Sequence, residues 1–303
     1  MSFFTTFQEM VVILFAVAIG VLANRLGYIN EEGNRKLSKL ILNITIPALV
    51  IASVARQESL PEPNVIFSVL LVSAVFYLLE FVFAFVVPRL VGGTPEQRGV
   101  WRFLMCFPNI GFIGYPLVQA LFGDEGFFYA VILALPFNIL NFSMGPLLLS
   151  GTFRFSWRQF CTPSVLCSFI ALVIALLDLR LPAMVGEMAG LVGDITVPLS
   201  LLVLGSMLAG MSIRSVLTSW RLWALSGIRL LVEPAALSGV LHLLGVDPLI
   251  LGVAVAQMAM PAAVNGSMLC LEFGGDTEAM AQSIFLTTVL SILTIPIAAA
   301  LFM

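Results

Sequence analysis

The run MCFPNIGFIGYPLVQALFG, from Met105 to Gly123, is apolar enough for a membrane interior and too rich in proline and glycine to cross it as one helix. Pro108 and Pro116 lack an amide hydrogen and crowd the preceding turn, while Gly111 and Gly114 favour departures from helical geometry. Carbonyls and amides between them lose their partners within the helix. At membrane depth such backbone survives only where it is packed in protein or lines a wet cavity, and the ends of the half-helices offer dipoles to ions and anionic solutes. Asn109 adds a side chain that both donates and accepts. The reading is a broken helix that forms a binding site; a merely kinked structural helix is the alternative.

The surrounding chain agrees. Of 303 residues 60% are hydrophobic and only 10% charged, and the mean hydropathy is +1.08, well outside the range of soluble domains. The fold class expected is all-α integral membrane. The net charge of −3 and the scattered basic residues exclude a nucleic-acid surface. Phe7 to Leu22 lacks a basic leader and a small-residue cleavage pattern, so it reads as a retained first span. Cys106, Cys161, Cys167 and Cys270 lack metal-ligand spacing and read as small buried hydrophobes.

Apolar runs of about 17 to 25 residues, the length that crosses about 30 Å of hydrocarbon, mark ten spans. They are Phe7–Tyr28, Lys36–Val54, Val65–Leu90, Val100–Phe122, Glu125–Leu149, Cys161–Leu177, Met184–Met211, Ser219–Leu244, Leu249–Phe273 and Thr277–Phe302. No connection is long enough to fold alone. Five spans followed by five would invert the second half, and sequence pairs support such a repeat. Asn43-Ile-Thr-Ile-Pro47 matches Asp194-Ile-Thr-Val-Pro198 at a displacement of 151 residues, and Glu80 matches Glu233 at 153. Phe122-Gly123 matches Phe273-Gly274, and Asp124 matches Asp276. The halves are therefore 1–150 and 151–303. The partner of the opening run is MAMPAAVNGSMLCLEF, Met258 to Phe273, with its own Pro261, Asn265 and Gly266. Paired broken helices in corresponding positions are a transporter signature.

With ten spans both termini share a side that carries only Arg56 and Arg180. Eleven basic residues, Arg25, Arg35, Lys36, Lys39, Arg89, Arg98, Arg102, Arg154, Arg158, Arg214 and Arg221, fall on the other. The positive-inside rule then places both termini outside the cytoplasm.

Charges inside spans are costly and are functional candidates. Glu80 lies within the third span and Glu233 within the eighth, with Arg229 one turn before it, close enough to pair. Glu80 is read either as a proton carrier or as a hydrogen-bonding group between helices; Glu233 either as a functional acid or as half of a structural pair. Asp194, with Thr196 and the carbonyls freed by Pro198, offers hard oxygen donors for sodium or a proton relay, and equally suits a helix cap. Asn138 and Asn141 read as interhelical glue. Glu272, Asp276, Glu278, Asp124, Glu125 and His242 lie at span edges. There is no phosphate-binding loop with its lysine, no hydrolytic triad and no zinc set, so an enzyme is not expected and no cofactor is called for beyond a coupling proton or sodium ion.

The run PNIGFIGYPLVQALFGDEGFFYAVILALPFNILNFSMG, with DITVPLSLLVLGSMLAG, MAMPAAVNG and TTVLSILTIP, resembles the auxin efflux carrier family, including its bacterial malonate-transporter-like members. Nearly the whole chain takes part. The resemblance implies kinship with bile-acid sodium symporters and sodium/proton antiporters, with broken spans four and nine crossing at their midpoints. It implies a scaffold of spans one, two, six and seven and a mobile unit of spans three to five and eight to ten. It further implies an organic anion held near Asn109 and Asn265, among Pro108, Gly111, Gly114, Pro116, Pro261 and Gly266. Asn265 follows its proline by four residues and Asn109 follows its own by one, so the second match is looser. The long central loop of the plant carriers is absent here, where only Gly151–Gln159 stands.

The resulting expectation is a secondary transporter of a small carboxylate, malonate-like or auxin-like, that works by an elevator motion. It would sit in the bacterial inner membrane, with the lipid bilayer and, by the resemblance, a second copy in a homodimer as partners. The rivals are a cation/proton antiporter of the same fold, carrying its ion on Asp194 or Glu80, and a membrane ligand sensor.

Overall fold

The computed structural model describes residues 3–57, 60–151, 161–209 and 219–303; for residues 3–5, 138 and 142 the description covers the backbone. The loop residues Arg154, Arg158, Gln159 and Arg214, the Asn138 side chain and the end of the expected seventh span beyond Ala209 lie outside it. Fifteen α-helices run through the described residues. In the first half they are α1 (Phe3–Arg25), α2 (Glu31–Leu40), α3 (Ile46–Ala55), α4 (Pro63–Val91), α5 (Pro95–Cys106), α6 (Tyr115–Leu133) and α7 (Leu135–Ser150). In the second they are α8 (Pro163–Leu176), α9 (Ala183–Gly193), α10 (Thr196–Ala209), α11 (Trp220–Gly227), α12 (Glu233–Leu243), α13 (Pro248–Met258), α14 (Gly266–Phe273) and α15 (Thr277–Phe302). Single π-helical turns at Ile41–Thr45, Ile110–Gly114 and Ile228–Val232 lead into α3, α6 and α12. Each ends two residues before a proline, Pro47, Pro116 or Pro234, whose missing amide cannot close an α-helical bond.

Local chemistry sets the helix starts. The Asn30 side chain accepts from the Gly33 amide at the head of α2, and Asp276 accepts from Ala279 at the head of α15. Thr94 and Gln97 form a reciprocal capping box on α5. Proline occupies the first position of α4, α5, α8 and α13, where no amide hydrogen is needed.

Among the described residues seven helical runs are long and apolar enough to cross a membrane: Thr6–Arg25, Glu31–Ala55, Pro63–Val91, Ile110–Asn141, Ala183–Ala209, Trp220–Leu243 and Thr277–Phe302. The difference from ten expected spans has local causes. The fourth is interrupted between α5 and the turn at Ile110, the ninth between α13 and α14, and α8 has 14 residues, about 21 Å of helix. Large apolar side chains such as Phe15, Phe67, Leu71 and Leu191 stand exposed on the outer helix faces, the pattern of a multi-pass membrane protein.

Two contacts are close because glycine permits them. Gly20 of α1 and Gly205 of α10 meet at a crossing where a Cβ on either would collide with the other helix's backbone. Along α9, Gly186, Gly190 and Gly193 face Ala55, Arg56 and Leu49, so α9 lies tightly on α3. Gly186 and Gly190, four residues apart, thus make a close helix approach within the chain. One hydrophobic core joins both halves, with Phe76, Phe103, Phe107, Phe127 and Phe128 fully buried in it.

Candidate functional site: two crossing broken helices

The break opens where predicted, at the end of α5. Phe107 leaves helical geometry at φ −127°, ψ 100°. At this point the chain meets the other break, between α13 and α14, in an antiparallel bridge of Pro108 with Ala262. The Asn109 amide donates to the Pro261 carbonyl at 2.7 Å, and the Ala263 amide to the Phe107 carbonyl at 3.0 Å. Two stretches that each lost helical partners thus satisfy one another, and no strand forms elsewhere among the described residues.

The rest of each break is closed differently. On the first side Asn109 Oδ1 accepts from the Phe112 amide at 3.3 Å, capping its own turn, and the Asn109 carbonyl accepts from Gly114. Asn109 is buried, and its Nδ2 has no hydrogen-bond partner among the described residues. On the second side the Ala262 amide donates to Thr287 Oγ1 of α15 at 3.1 Å. Asn265, half-buried at the head of α14, makes no side-chain cap bond. Pro116 lies one residue inside α6 and interrupts the chain no further than the π-helical turn before it; the second interruption falls at Gly123, at φ 64°. Gly114 is buried beside the Met260 side chain, and Gly266 between Phe103 and Met280.

The turn at Ile110–Gly114 forms part of two cavities. One, of about 170 Å³, is bounded by Ile110, Gly111 and Tyr115, by Asn43 at the turn before α3, and by Ser164 and Ser168 of α8. The other, of about 250 Å³, touches Ile113 and runs between α1, α10 and α15, with Arg25 on its wall. Asn43, an expected relative of Asp194, is exposed and donates to the Lys39 carbonyl at 2.8 Å.

Beneath the crossing sits a charged cluster. Arg229, Glu80 and Glu233 are all fully buried, and one guanidinium nitrogen, Nη1, serves both carboxylates. It bonds Glu233 one turn along the helix, reaches Glu80 Oε1 of α4 at 3.3 Å, and approaches the Met105 carbonyl of α5 at 3.4 Å. The expected pairing of Arg229 with Glu233 is present. The arrival of Glu80 at the same guanidinium, 149 residues away in sequence, was not foreseen, although the matched placement of Glu80 and Glu233 in the two halves was a usable hint.

Asp194 lies elsewhere. It ends α9 and takes a bidentate bond from Arg56, Nη1 at 3.0 Å and Nη2 at 2.8 Å. The hydrogen bond from Arg56 to Asp194 raises the arginine pKa against a smaller opposing push from burial. Among the described residues Asp194 meets Arg56 and neither Glu80 nor Glu233. Asn141 is fully buried with both amide atoms unpartnered among the described residues. Glu272, Glu278 and His242 are exposed, as expected of span edges. Sequence reasoning passed over Thr287, which anchors the second break; its trace was the Thr-Thr pair in the run TTVLSILTIP of the last span.

A multi-pass helical protein whose two interrupted helices pair across a crossing belongs to the class of membrane transporters. Sequence comparison agrees: the chain matches the membrane transport protein family over residues 5–152 and 146–299, and it belongs to that family, the auxin efflux carriers. It is similar to an uncharacterized transporter of Methanothermobacter thermautotrophicus, 25% identical over 301 residues and 98% of each chain. It is also similar to one of Methanocaldococcus jannaschii, 24% identical over 301 residues and 94% of each chain.

Proposed function

We propose that this protein is a secondary transporter that carries a small carboxylate across the plasma membrane by an elevator motion of the crossing helices against a scaffold. The observation that carries the reading is the pairing of Phe107–Asn109 with Pro261–Ala263. It supports two broken helices whose N-terminal ends, at Asn109 and Asn265, suit an anion. The buried Asn109 Nδ2 is a donor in reserve for that anion. On this reading the chain has ten spans in two inverted repeats, 1–150 and 151–303, with both termini outside the cytoplasm and a second copy meeting it through the scaffold. The cavities on either side of Ile110–Gly114 then lie at the sliding boundary.

The test is counterflow in proteoliposomes across a panel of labelled mono- and dicarboxylates. Uptake of one of them by wild type, lowered at least tenfold in Asn109→Ala at unchanged membrane insertion, is the expected result. Equal uptake by the variant removes the crossing from the site, and no uptake of any carboxylate removes the substrate class. A cation/proton antiporter is the second reading, favoured by the buried acids Glu80 and Glu233. Movement of labelled sodium against a pH gradient, with no carboxylate counterflow, would select it.

A further inference from the structure

The cluster under the crossing has an unbalanced charge count. Glu80 and Glu233 would bring two negative charges, Arg229 one positive, and all three side chains are fully shielded from solvent. Arginine cannot give up its proton in a protein, so the imbalance falls on the carboxylates. An uncompensated charge in a dry interior is strongly disfavoured, and a carboxylate there takes up a proton instead. The hydrogen bonding points the same way. Glu80 Oε2 and Glu233 Oε1 have no partner among the described residues, and neither do Nε and Nη2 of Arg229. The charges that act on Glu80 come from Arg229 and Glu233, and the other titratable groups that feel its charge are Tyr77 of its own helix and Cys106 of α5. A phenol and a thiol supply no cation to offset a second carboxylate.

We propose that Glu80, Arg229 and Glu233 form a one-proton site: a single proton is shared by the two carboxylates, held mainly on Glu80, and it is bound and released as the transporter works. Glu80 is the favoured holder because it reaches Nη1 only at 3.3 Å and from another helix, whereas Glu233 lies one turn along the same helical run as Arg229. Loss of the proton breaks the O–H bond of Glu80 and passes the proton to water, leaving a second carboxylate on the same guanidinium. Arg229 also approaches the Met105 carbonyl, and Met105 is followed directly by Cys106, Phe107 and Pro108. A change in how the guanidinium divides itself between the two acids therefore pulls on the residue chain that enters the crossing. The link to transport rests on the transporter reading above; the single proton does not.

Infrared difference spectroscopy of the purified protein decides the matter, because a neutral carboxyl has a carbonyl stretch that a carboxylate lacks. The comparison is of wild type, Glu80→Gln and Glu233→Gln at neutral pH. The expected result is one neutral-carboxyl band in wild type, reversibly lost on alkalinisation, and none in either variant. Removing one acid leaves the other to form a one-to-one ion pair with Arg229, so either substitution abolishes the band. A wild type without the band, or a variant that keeps it, overturns the proposal. Should Glu233→Gln fail to fold, wild type against Glu80→Gln is sufficient, since Gln imitates the neutral acid and is expected to preserve the fold. No carried solute enters this measurement, so its failure leaves the counterflow result standing, and failed counterflow leaves the proton site standing.

Discussion

Arg56 meets Asp194 with two guanidinium nitrogens at the open edge of α3 and α9, one cation to one anion, with side chains 33% and 58% exposed. Arg229 meets Glu80 and Glu233 with a single nitrogen, one cation to two acids, in complete burial. The bonding geometry is better in the first and the consequences of disturbance are larger in the second. Water and ions can replace what Arg56 offers Asp194, so the pair contributes little net stability. Nothing can replace Arg229, so its removal leaves carboxylates stranded. Burial, more than hydrogen-bond quality, decides which cluster the protein cannot do without.

The largest expected effect is Arg229→Met, which strips the cation from two buried acids and should lower unfolding stability by about 3–5 kcal/mol. Thermal denaturation in detergent measures it. Adding Glu80→Gln and Glu233→Gln to the same chain should restore much of the loss, because the site is then neutral throughout. The corresponding change at the open edge, Arg56→Met, should cost about 0.2–1 kcal/mol. A loss there as large as that of Arg229→Met would mean that the membrane shields the edge of α3 and α9 from water, and the contrast would collapse. The smallest effect is expected at a wholly exposed acid. Glu96, in the first turn of α5, is held below the usual carboxylate range by its own backbone amide and by the Thr94 side chain. A depressed carboxyl stabilises above its unfolded pKa and ceases to do so as the pH falls through the folded value. Wild type and Glu96→Gln should therefore differ slightly at neutral pH and converge in acid, as pH-resolved melting curves would record.

What could be read in advance follows the range of the interaction. Pro108 and Pro261 announce the two breaks because the reason for a break, a missing amide hydrogen, is local to the residue. Arg229 and Glu233 could be paired on paper for the same reason, since four residues of helix place them side by side. Glu80 could not be assigned to them, because only the packing of α4 against α12 brings it there. Thr287 was invisible in the same way: its hydroxyl matters only because α15 passes the Ala262 amide. The division of the ninth span into α13 and α14 was legible at Pro261 for that same local reason, and α8, at 14 residues, is only a little shorter than the expected Cys161–Leu177. At Asp194 the local reading, ion ligand or cap, left out the arginine that packing brings from another part of the chain.

The bridge between Pro108 and Ala262 also sets a timetable. Its first strand emerges from the ribosome about 150 residues before its second, an interval of roughly 8 to 30 s at about 5–20 residues per second. Throughout that time the Asn109 amide and the Phe107 carbonyl are without the partners they have in the finished protein. The first half must therefore wait in the membrane with its centre unfinished, and the polar interior of the crossing is sealed only when the second half arrives.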